Sequence, residues 1–355
     1  MYRVMIETAS YDDVRRAVDR AFTLFPLKVA EKTVLVKPNV LRASSAQEGI
    51  VTHPALLRAV VEKLETMNPA AIVVGDNPGA VGYGANEASF EETGLMAAAK
   101  GYYHNIGNDS RKVAFDSRFM EAVSVSTAVL NADIIISLPK FKTHGLTVMT
   151  GAIKNSYGML PGAQKANLHK LAGTPARFHD LIVEVFRLRI PDFFIVDAIV
   201  GMEGNGPASP DLRQIGRILA SDNAVALDAV IATMMGMAPE RLPFLCKAAR
   251  EGLGAIDLSK ISIIGELQPI PNFKLPPLSG EAILNNSSLQ QLLRSKTVVR
   301  PHADPDLCTA CGTCIDQCPV SALSMRENLP RVDEARCITC FCCQEICPEK
   351  AMVLR

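Results

Sequence analysis

The chain has 355 residues, 48% of them hydrophobic, with 37 Lys+Arg set against 37 Asp+Glu for a net charge of +0. No basic surface on the scale nucleic acid requires follows from that balance, so no nucleic-acid partner is expected. The length provides for one large or two smaller folded units beside any small module, and ten cysteines in so long a chain are not a disulfide framework.

The N-terminal Tyr2-Arg-Val-Met-Ile-Glu lacks a long apolar core, so no export signal is expected. Val4–Glu7, Thr33–Lys37, Ala71–Gly75, Asp133–Ser137, Phe193–Asp197, Arg217–Ala220 and Ile261–Ile264 read as strands. Most are continuous and β-branched, the pattern of strands buried on both faces. Between them Ser10 with Asp13 predicts a capping box before a helix over 14–25. Thr52 marks a second start near Pro54, and Thr174-Pro175 a third that runs to Arg189. The alternation predicts an α/β fold with a doubly wound, mostly parallel sheet. The longest apolar stretch, 224–238, is too short to cross a bilayer and carries Asp228, so no membrane span is expected.

Polar and glycine residues gather just after several of these strands. Lys37 and Asn39 flank Pro38; Asp76 opens a glycine-rich loop; Lys140, Lys142 and His144 follow the strand ending at Ser137. A further loop, 201–206, follows the strand ending at Asp197. In open α/β sheets ligands bind at the carboxyl edge of the strands. Asp76, Lys140, His144, Lys154 and Asn155 are therefore expected to line one crevice, with Lys37 and Asn39 beside them. Lys140 and Lys154 would hold a small anionic ligand near a helix expected to start at Gly145. His144 would move a proton, its ordinary pKa of about 6.5 lying close to neutrality. Asp76 would orient a ligand group. Lys142 taken alone reads as solvated; His53 reads as readily as a cap or a core residue as a site residue; His104, His169 and His179 read as ordinary polar residues. No P-loop and no full G-x-G-x-x-G is present; Gly82-Tyr-Gly84 and Gly204-Asn-Gly206 are fragments. Flavin stays open, because flavodoxin-like sites share no short motif.

Four prolines in 267–277 predict an extended connector, followed by a helix-like stretch at 289–294. The expected units are an α/β domain over 1–266, a connector over 267–300 and a small α+β domain over 301–355. The last carries eight of the ten cysteines as two copies of C-x-x-C-x-x-C-x-x-x-C-P. These are Cys308, Cys311, Cys314, Cys318 before Pro319, and Cys337, Cys340, Cys343, Cys347 before Pro348, with a period of 29 residues. This run holds a [4Fe–4S] cubane in bacterial ferredoxins; a zinc ribbon would need two pairs rather than three cysteines plus one. A short helix is expected after each run, at Val320 and at Glu349. Cys342 falls between ligands and has no assigned role. Eight acids and five bases leave this region mildly acidic, at −3.

The tail resembles two-cluster ferredoxins, and the resemblance implies two [4Fe–4S] clusters with crossed fourth ligands. One would take Cys308, Cys311, Cys314 and Cys347; the other Cys337, Cys340, Cys343 and Cys318. The body resembles the family of domain of unknown function 362. The residues that carry this are Val36-Lys-Pro-Asn39, Gly75-Asp-Asn-Pro-Gly79, Leu138-Pro-Lys-Phe-Lys-Thr-His144, Gly151-Ala-Ile-Lys-Asn155 with Gly158, and Ser221–Asp228. That family name brings no reaction with it. Gly151-Ala-Ile-Lys154 before Leu160-Pro-Gly162 is also similar, over a few residues, to the lysine segment of nickel-pincer lactate-racemase-like proteins.

Two readings follow. The first is a ferredoxin-dependent oxidoreductase whose clusters exchange electrons with a small anion in the α/β domain and with a redox partner protein. The second is an electron carrier whose α/β domain is a docking or regulatory module. Oxygen-sensitive clusters, free thiols and the lack of an export signal imply the cytoplasm.

Overall fold

The computed structural model describes residues 1–79, 85–276 and 300–354. The Gly82–Gly84 fragment, most of the connector and its helix-like stretch at 289–294 lie outside these residues. All seven expected strands are present: β1 (Tyr2–Thr8), β2 (Thr33–Pro38), β3 (Ala71–Val74), β6 (Ile134–Leu138), β9 (Phe193–Met202), β10 (Leu212–Ser221) and β11 (Ile261–Ile264). Their order in the sheet is β11-β1-β10-β9-β6-β2-β3. The pairs β1–β11, β2–β3, β2–β6 and β6–β9 are parallel, and β10 runs antiparallel to both its neighbours.

The continuous apolar runs are explained by a core on each face. Val34 and Val36 of β2 enter one core with helices α1 (Val14–Leu24) and α2 (Pro54–Glu65). Leu35 between them enters the other with α8 (Pro175–Leu188), α9 (Ala224–Met234) and α10 (Pro243–Arg250). Side chains alternate across a strand, so a strand between two helical layers must be apolar at every position. Each such fully buried aliphatic side chain contributes roughly 1.5–3 kcal/mol.

Helix starts differ in detail from the sequence reading. Thr174 caps α8, its hydroxyl accepting from Arg177 N–H. His53, not Thr52, caps α2, with Nδ1 accepting from Ala55 N–H at 3.2 Å. Thr52 instead donates to the Leu138 carbonyl at 2.6 Å and accepts from Asn39 N–H, tying β2 to β6. Before α1, Asp13 accepts from the Ser10 backbone and hydroxyl without capping the helix itself.

No helix starts at Gly145. Lys140–His144 is strand β7, which turns back into β8 (Val148–Thr150). Pro139 breaks the donor ladder after β6, but the long β9 carries on and pairs with β7. Helix returns only as the short α6 (Ala152–Asn155) and a 3₁₀ turn over Ser156–Met159. A second hairpin, β4 (Ser110–Ala114) with β5 (Ala122–Ser126), is absent from the sequence reading.

The C-terminal part pairs β12 (Pro301–Ala303) with β15 (Met352–Leu354) and β13 (Leu323–Arg326) with β14 (Leu329–Val332). Its helices, α11 (Thr313–Asp316) and α12 (Cys342–Ile346), lie inside the cysteine runs rather than after them. After each run Ser321 and Lys350 turn left-handed, at φ 50° and 54°, and the chain enters a strand. The two halves repeat bond for bond: Asp304 N–H donates to Ala351 O at 2.8 Å, and Asp333 N–H to Ala322 O at 2.7 Å. Among the described residues no helix is long and apolar enough to cross a membrane.

Candidate active site and cluster-binding loops

The eight motif cysteines converge in two groups. Cys308, Cys311, Cys314 and Cys347 line one small hollow. Cys318, Cys337, Cys340 and Cys343 line another. Each hollow takes three sulfurs from one run and the fourth from the other. The remaining lining is mainly apolar or backbone, which suits thiolates spread over the corners of a cubane. Among the described residues no three His, Cys, Asp or Glu stand close enough to share a single ion. Backbone N–H groups also serve the sulfurs: Ala322 donates to Cys318 Sγ at 3.2 Å and Ala351 to Cys347 Sγ at 3.3 Å. Such bonds stabilise negative charge on sulfur.

A third cavity, of about 100 Å³, lies where the C-terminal part meets the sheet. It has room for several waters or one small molecule. Asn39, Asp76, His144, Lys154 and Asn155 line it, so five of the seven expected residues meet there. Lys37 stands behind Asp76, Nζ to Oδ1 2.7 Å, both side chains buried. Asp76 Oδ2 also accepts from Val40 N–H at 2.8 Å. Burial pushes Lys37 down and Asp76 up, and their mutual attraction opposes both shifts. Gly158 is required beside them, because a Cβ there would collide with both Asp76 Oδ1 and Lys37 Nζ.

Lys140 is a correction. It is buried away from this cavity, with Nζ 2.8 Å from Asp197 Oδ2 and 3.0 Å from the Tyr11 hydroxyl. Tyr11 in turn donates to Asp197 Oδ1 and stacks on His53 at 3.6 Å. The pairing with β9 slips between Lys140 and Lys142, so the two lysines do not follow one regular alternation. Lys142 takes the place expected for Lys140. It is buried, not solvated; it lines the cavity and donates to Ile50 O at 2.6 Å. Burial, then Lys154, pushes its pKa down to about 7.

Lys165, His169, Cys342 and Glu345 also line the cavity, and the sequence reading gave none of them a site role. Lys165 donates to Asn77 O and Pro78 O, both at 2.6 Å, and burial takes it to about 8. Glu345 projects from α12, the turn between the last cysteines, and its Oε1 lies 3.1 Å from His144 Nε2. His144 Nδ1 accepts the Leu146 N–H at 3.1 Å, so the neutral ring carries its proton on Nε2, towards Glu345. Burial, then Lys154, pushes His144 down to about 4. The ring is therefore neutral at pH 7, and the proton-moving role expected for it loses its basis. Burial alone would raise Glu345, but His144 and Lys154 outweigh it and hold the carboxyl at about 2.

Lys154 differs from its neighbours. Among the described residues its ammonium has no hydrogen-bond acceptor and no ion pair within contact distance; it faces only the rings of Tyr157 and Phe178, at 5.2 and 5.7 Å. Its position is set from below by Asp228, whose carboxylate accepts Ala152 N–H at 2.6 Å and Ile153 N–H at 3.0 Å. The buried acid of the apolar helix is thus held by backbone rather than by a cation, and burial lifts it to about 7. Asn39 Nδ2 donates to Asn155 Oδ1 at 3.1 Å, while Asn39 Oδ1 and the Thr150 hydroxyl are buried without a partner. Lys142, Lys154 and Lys165 line the cavity together with two carboxylates, Asp76 and Glu345, and Lys37 lies behind Asp76.

Comparison with known proteins matches residues 34–233 to the domain of unknown function DUF362 and residues 300–348 to the 4Fe-4S dicluster domain. A thylakoid-associated protein of Synechocystis sp. is 32% identical over 248 residues, 68% of this chain and 76% of that protein. Among solved structures, the lactate racemase apoprotein of Thermoanaerobacterium thermosaccharolyticum aligns with TM-score 0.43 and 12% identity, over 67% of this chain and 58% of that one. A Thermotoga maritima protein aligns with TM-score 0.33 and 11% identity, over 58% and 54%. The chain thus spans little more than half the length of either, and neither likeness extends to chemistry.

Proposed function

Because this chain belongs to the DUF362 family and ends in a 4Fe-4S dicluster domain, we propose that it is an iron–sulfur oxidoreductase acting on a small organic anion held in the cavity between the two parts. The dicluster domain supports cluster binding and electron transfer. We assign one cluster to Cys308, Cys311, Cys314 and Cys347 and the other to Cys318, Cys337, Cys340 and Cys343. When bound, the clusters supply single electrons. The domain boundaries of 1–266, 267–300 and 301–355, a redox partner protein and a cytoplasmic location belong to the same proposal.

The observation that carries the reading is Lys154, a half-buried ammonium without an anionic contact among the described residues, on a cavity lined by both parts of the chain. A carboxylate there gains a charge-assisted hydrogen bond in surroundings where such bonds are strong. Asn39 Oδ1 and the Thr150 hydroxyl offer a second anchor for a hydroxyl or amino group of the ligand. Lys142 and Lys165, brought near neutrality by burial, are placed to add charge or give up a proton as the ligand is reduced. Glu345 and His144, whose Oε1 and Nε2 are 3.1 Å apart, form the cavity wall at the side of the cysteine loop.

Calorimetric titration of the anaerobically prepared holoprotein with acetate, lactate, pyruvate and phosphate tests this. At least one carboxylate should bind, and Lys154→Met should weaken it by about 10- to 100-fold, the 1.5–3 kcal/mol of a hydrogen bond to a charged group. If none binds, or Lys154→Met binds equally well, the cavity is not a ligand site and the docking-module reading replaces this one.

A further inference from the structure

The two cysteine hollows have different surroundings, and the difference gives electron flow a direction. The hollow with Cys340 and Cys343 is turned to the sheet domain. Cys340 shares a small recess with Leu146, His169 and Phe178. Cys342 lines the ligand cavity, and Phe341 is 3% exposed within the main core. The hollow with Cys308 and Cys311 is turned to solvent. Cys311 is exposed, as are Thr309, Pro348 and Glu349 on its rim. Leu307, beside Cys308, is 50% exposed.

Charge separates the two margins as well. Asp306, Asp316 and Glu349 are exposed near Cys311 in sequence or on the rim itself, and none forms an ion pair among the described residues. The arginines of the neighbouring hairpin point elsewhere. Pro330 lines the Cys311 hollow, and Leu323 and Val332 the other. Arg331 lies between Pro330 and Val332, and Arg326 pairs with Leu329, so alternation along β13 and β14 puts both arginines on the opposite face. Near Cys337 of the other hollow in sequence, Glu334 has Arg300 Nε at 3.6 Å, while Asp333 forms no ion pair among the described residues; Arg336, three residues on, donates to Val320 O at 3.0 Å.

We infer that the face around Cys311 is the docking surface for a one-electron carrier protein with a lysine-rich rim, and that electrons pass between it and the ligand cavity through the Cys311 hollow first and the Cys340 hollow second. An exposed Leu307 beside the unpaired Asp306, with the unpaired Glu349 on the rim of the hollow, is complementary to an exposed cofactor edge ringed by cations, and such complementarity raises the association rate and fixes the orientation. The last leg, into the cavity, rests on the oxidoreductase reading; the docking face does not.

Cytochrome c, a lysine-rimmed haem protein, serves as the probe. In the rate assay the holoprotein is reduced with dithionite, freed of excess reductant and mixed anaerobically with ferric cytochrome c, each electron passed on taking a ferric haem to ferrous. In the binding assay, carbodiimide cross-linking of holoprotein to cytochrome c, read by peptide mass spectrometry, reports docking without turnover. Cross-links are expected at Asp306, Asp316 or Glu349. Asp306→Lys with Glu349→Lys should slow haem reduction at least tenfold at low salt, and the milder Asp306→Asn with Glu349→Gln at least threefold. Asp333→Lys with Glu334→Lys should stay within twofold, with iron content matched throughout. Cross-links at Asp333 or Glu334, on the sheet domain, or nowhere would overturn the inference, as would equal slowing by both pairs of lysine variants. Loss of carboxylate binding in Lys154→Met is read separately, so either proposal can fail alone.

Discussion

Phe341 occupies in the second cysteine run the place that Gly312 holds in the first, 29 residues earlier, and both residues are left-handed, at φ 58° and 81°. Glycine adopts that conformation freely, whereas a bulky aromatic residue does so at a cost of roughly 1–2 kcal/mol. Nothing lies within 4 Å of a Cβ built on Gly312, while the Phe341 ring is buried in the main core. The second run accepts backbone strain in return for an anchor on the sheet domain.

Phe341→Gly should therefore relieve the strain yet loosen the junction, removing an aromatic ring whose burial is worth about 3–5 kcal/mol. Iron content should be retained, with faster hydrogen exchange over 140–150. Unchanged protection in that segment would show that the ring is no anchor.

The crossed assignment predicts which half each fourth cysteine serves. In reduced protein, Cys318→Ala should alter the paramagnetic signal of the cluster assigned to Cys337, Cys340 and Cys343, and Cys347→Ala that of the other. Loss of the same-run cluster in both variants would contradict the grouping in space. Zinc in place of about eight irons per chain would contradict the cluster type.

Carboxylate binding should depend on pH with a definite sign. Lys142 titrates near 7 and Lys165 near 8, and each loses its charge as pH rises. The groups acting on Lys142 are Lys154, Glu345, Lys140 and Asp76. Affinity should fall between pH 6 and 9, with a shallower fall over the lower half of that range in Lys142→Met. Affinity that rises with pH, or an unchanged profile in the variant, would rule out these lysines as the source of charge.

Asp228 should act on the cavity from a distance. Asp228→Ala leaves the Ala152 and Ile153 N–H groups buried without acceptors, roughly 1–3 kcal/mol each. Carboxylate affinity should fall along with stability, because Lys154 sits on the turn they begin. Asp228→Asn keeps one acceptor oxygen and should lose less of both. Denaturation and calorimetry on the same samples separate the two effects, and full affinity in Asp228→Ala would refute the link to Lys154.

The sheet was legible because its strands are apolar on both faces, and runs such as Val34–Val36 leave little room for another reading. The cysteine runs were legible because their spacing repeats, and the crossing of the fourth cysteines followed from the resemblance to two-cluster ferredoxins. Lys140 was misplaced because a strand slip between it and Lys142 leaves no trace in residue types. The β7–β8 hairpin was read as a helix start because Gly145 and the threonines around it suit either structure. Glu345 and Cys342 could not be found from local pattern: they reach the cavity only through docking between segments about 200 residues apart. The signal that existed for them was their position between the ligands of a loop already marked for chemistry.

One wall of the cavity proposed for the anion is α12, and both ends of α12 belong to the cysteine framework, Cys343 within it and Cys347 just beyond. A chain whose cysteine loops have not been ordered has no wall to close. On the proposed function, capacity for the anion is then something the protein acquires at maturation, not at folding of the sheet. Thermodynamic reciprocity runs the coupling backwards too: an occupied cavity favours the ordered loop, and a resting supply of the anion would protect the iron centres from loss.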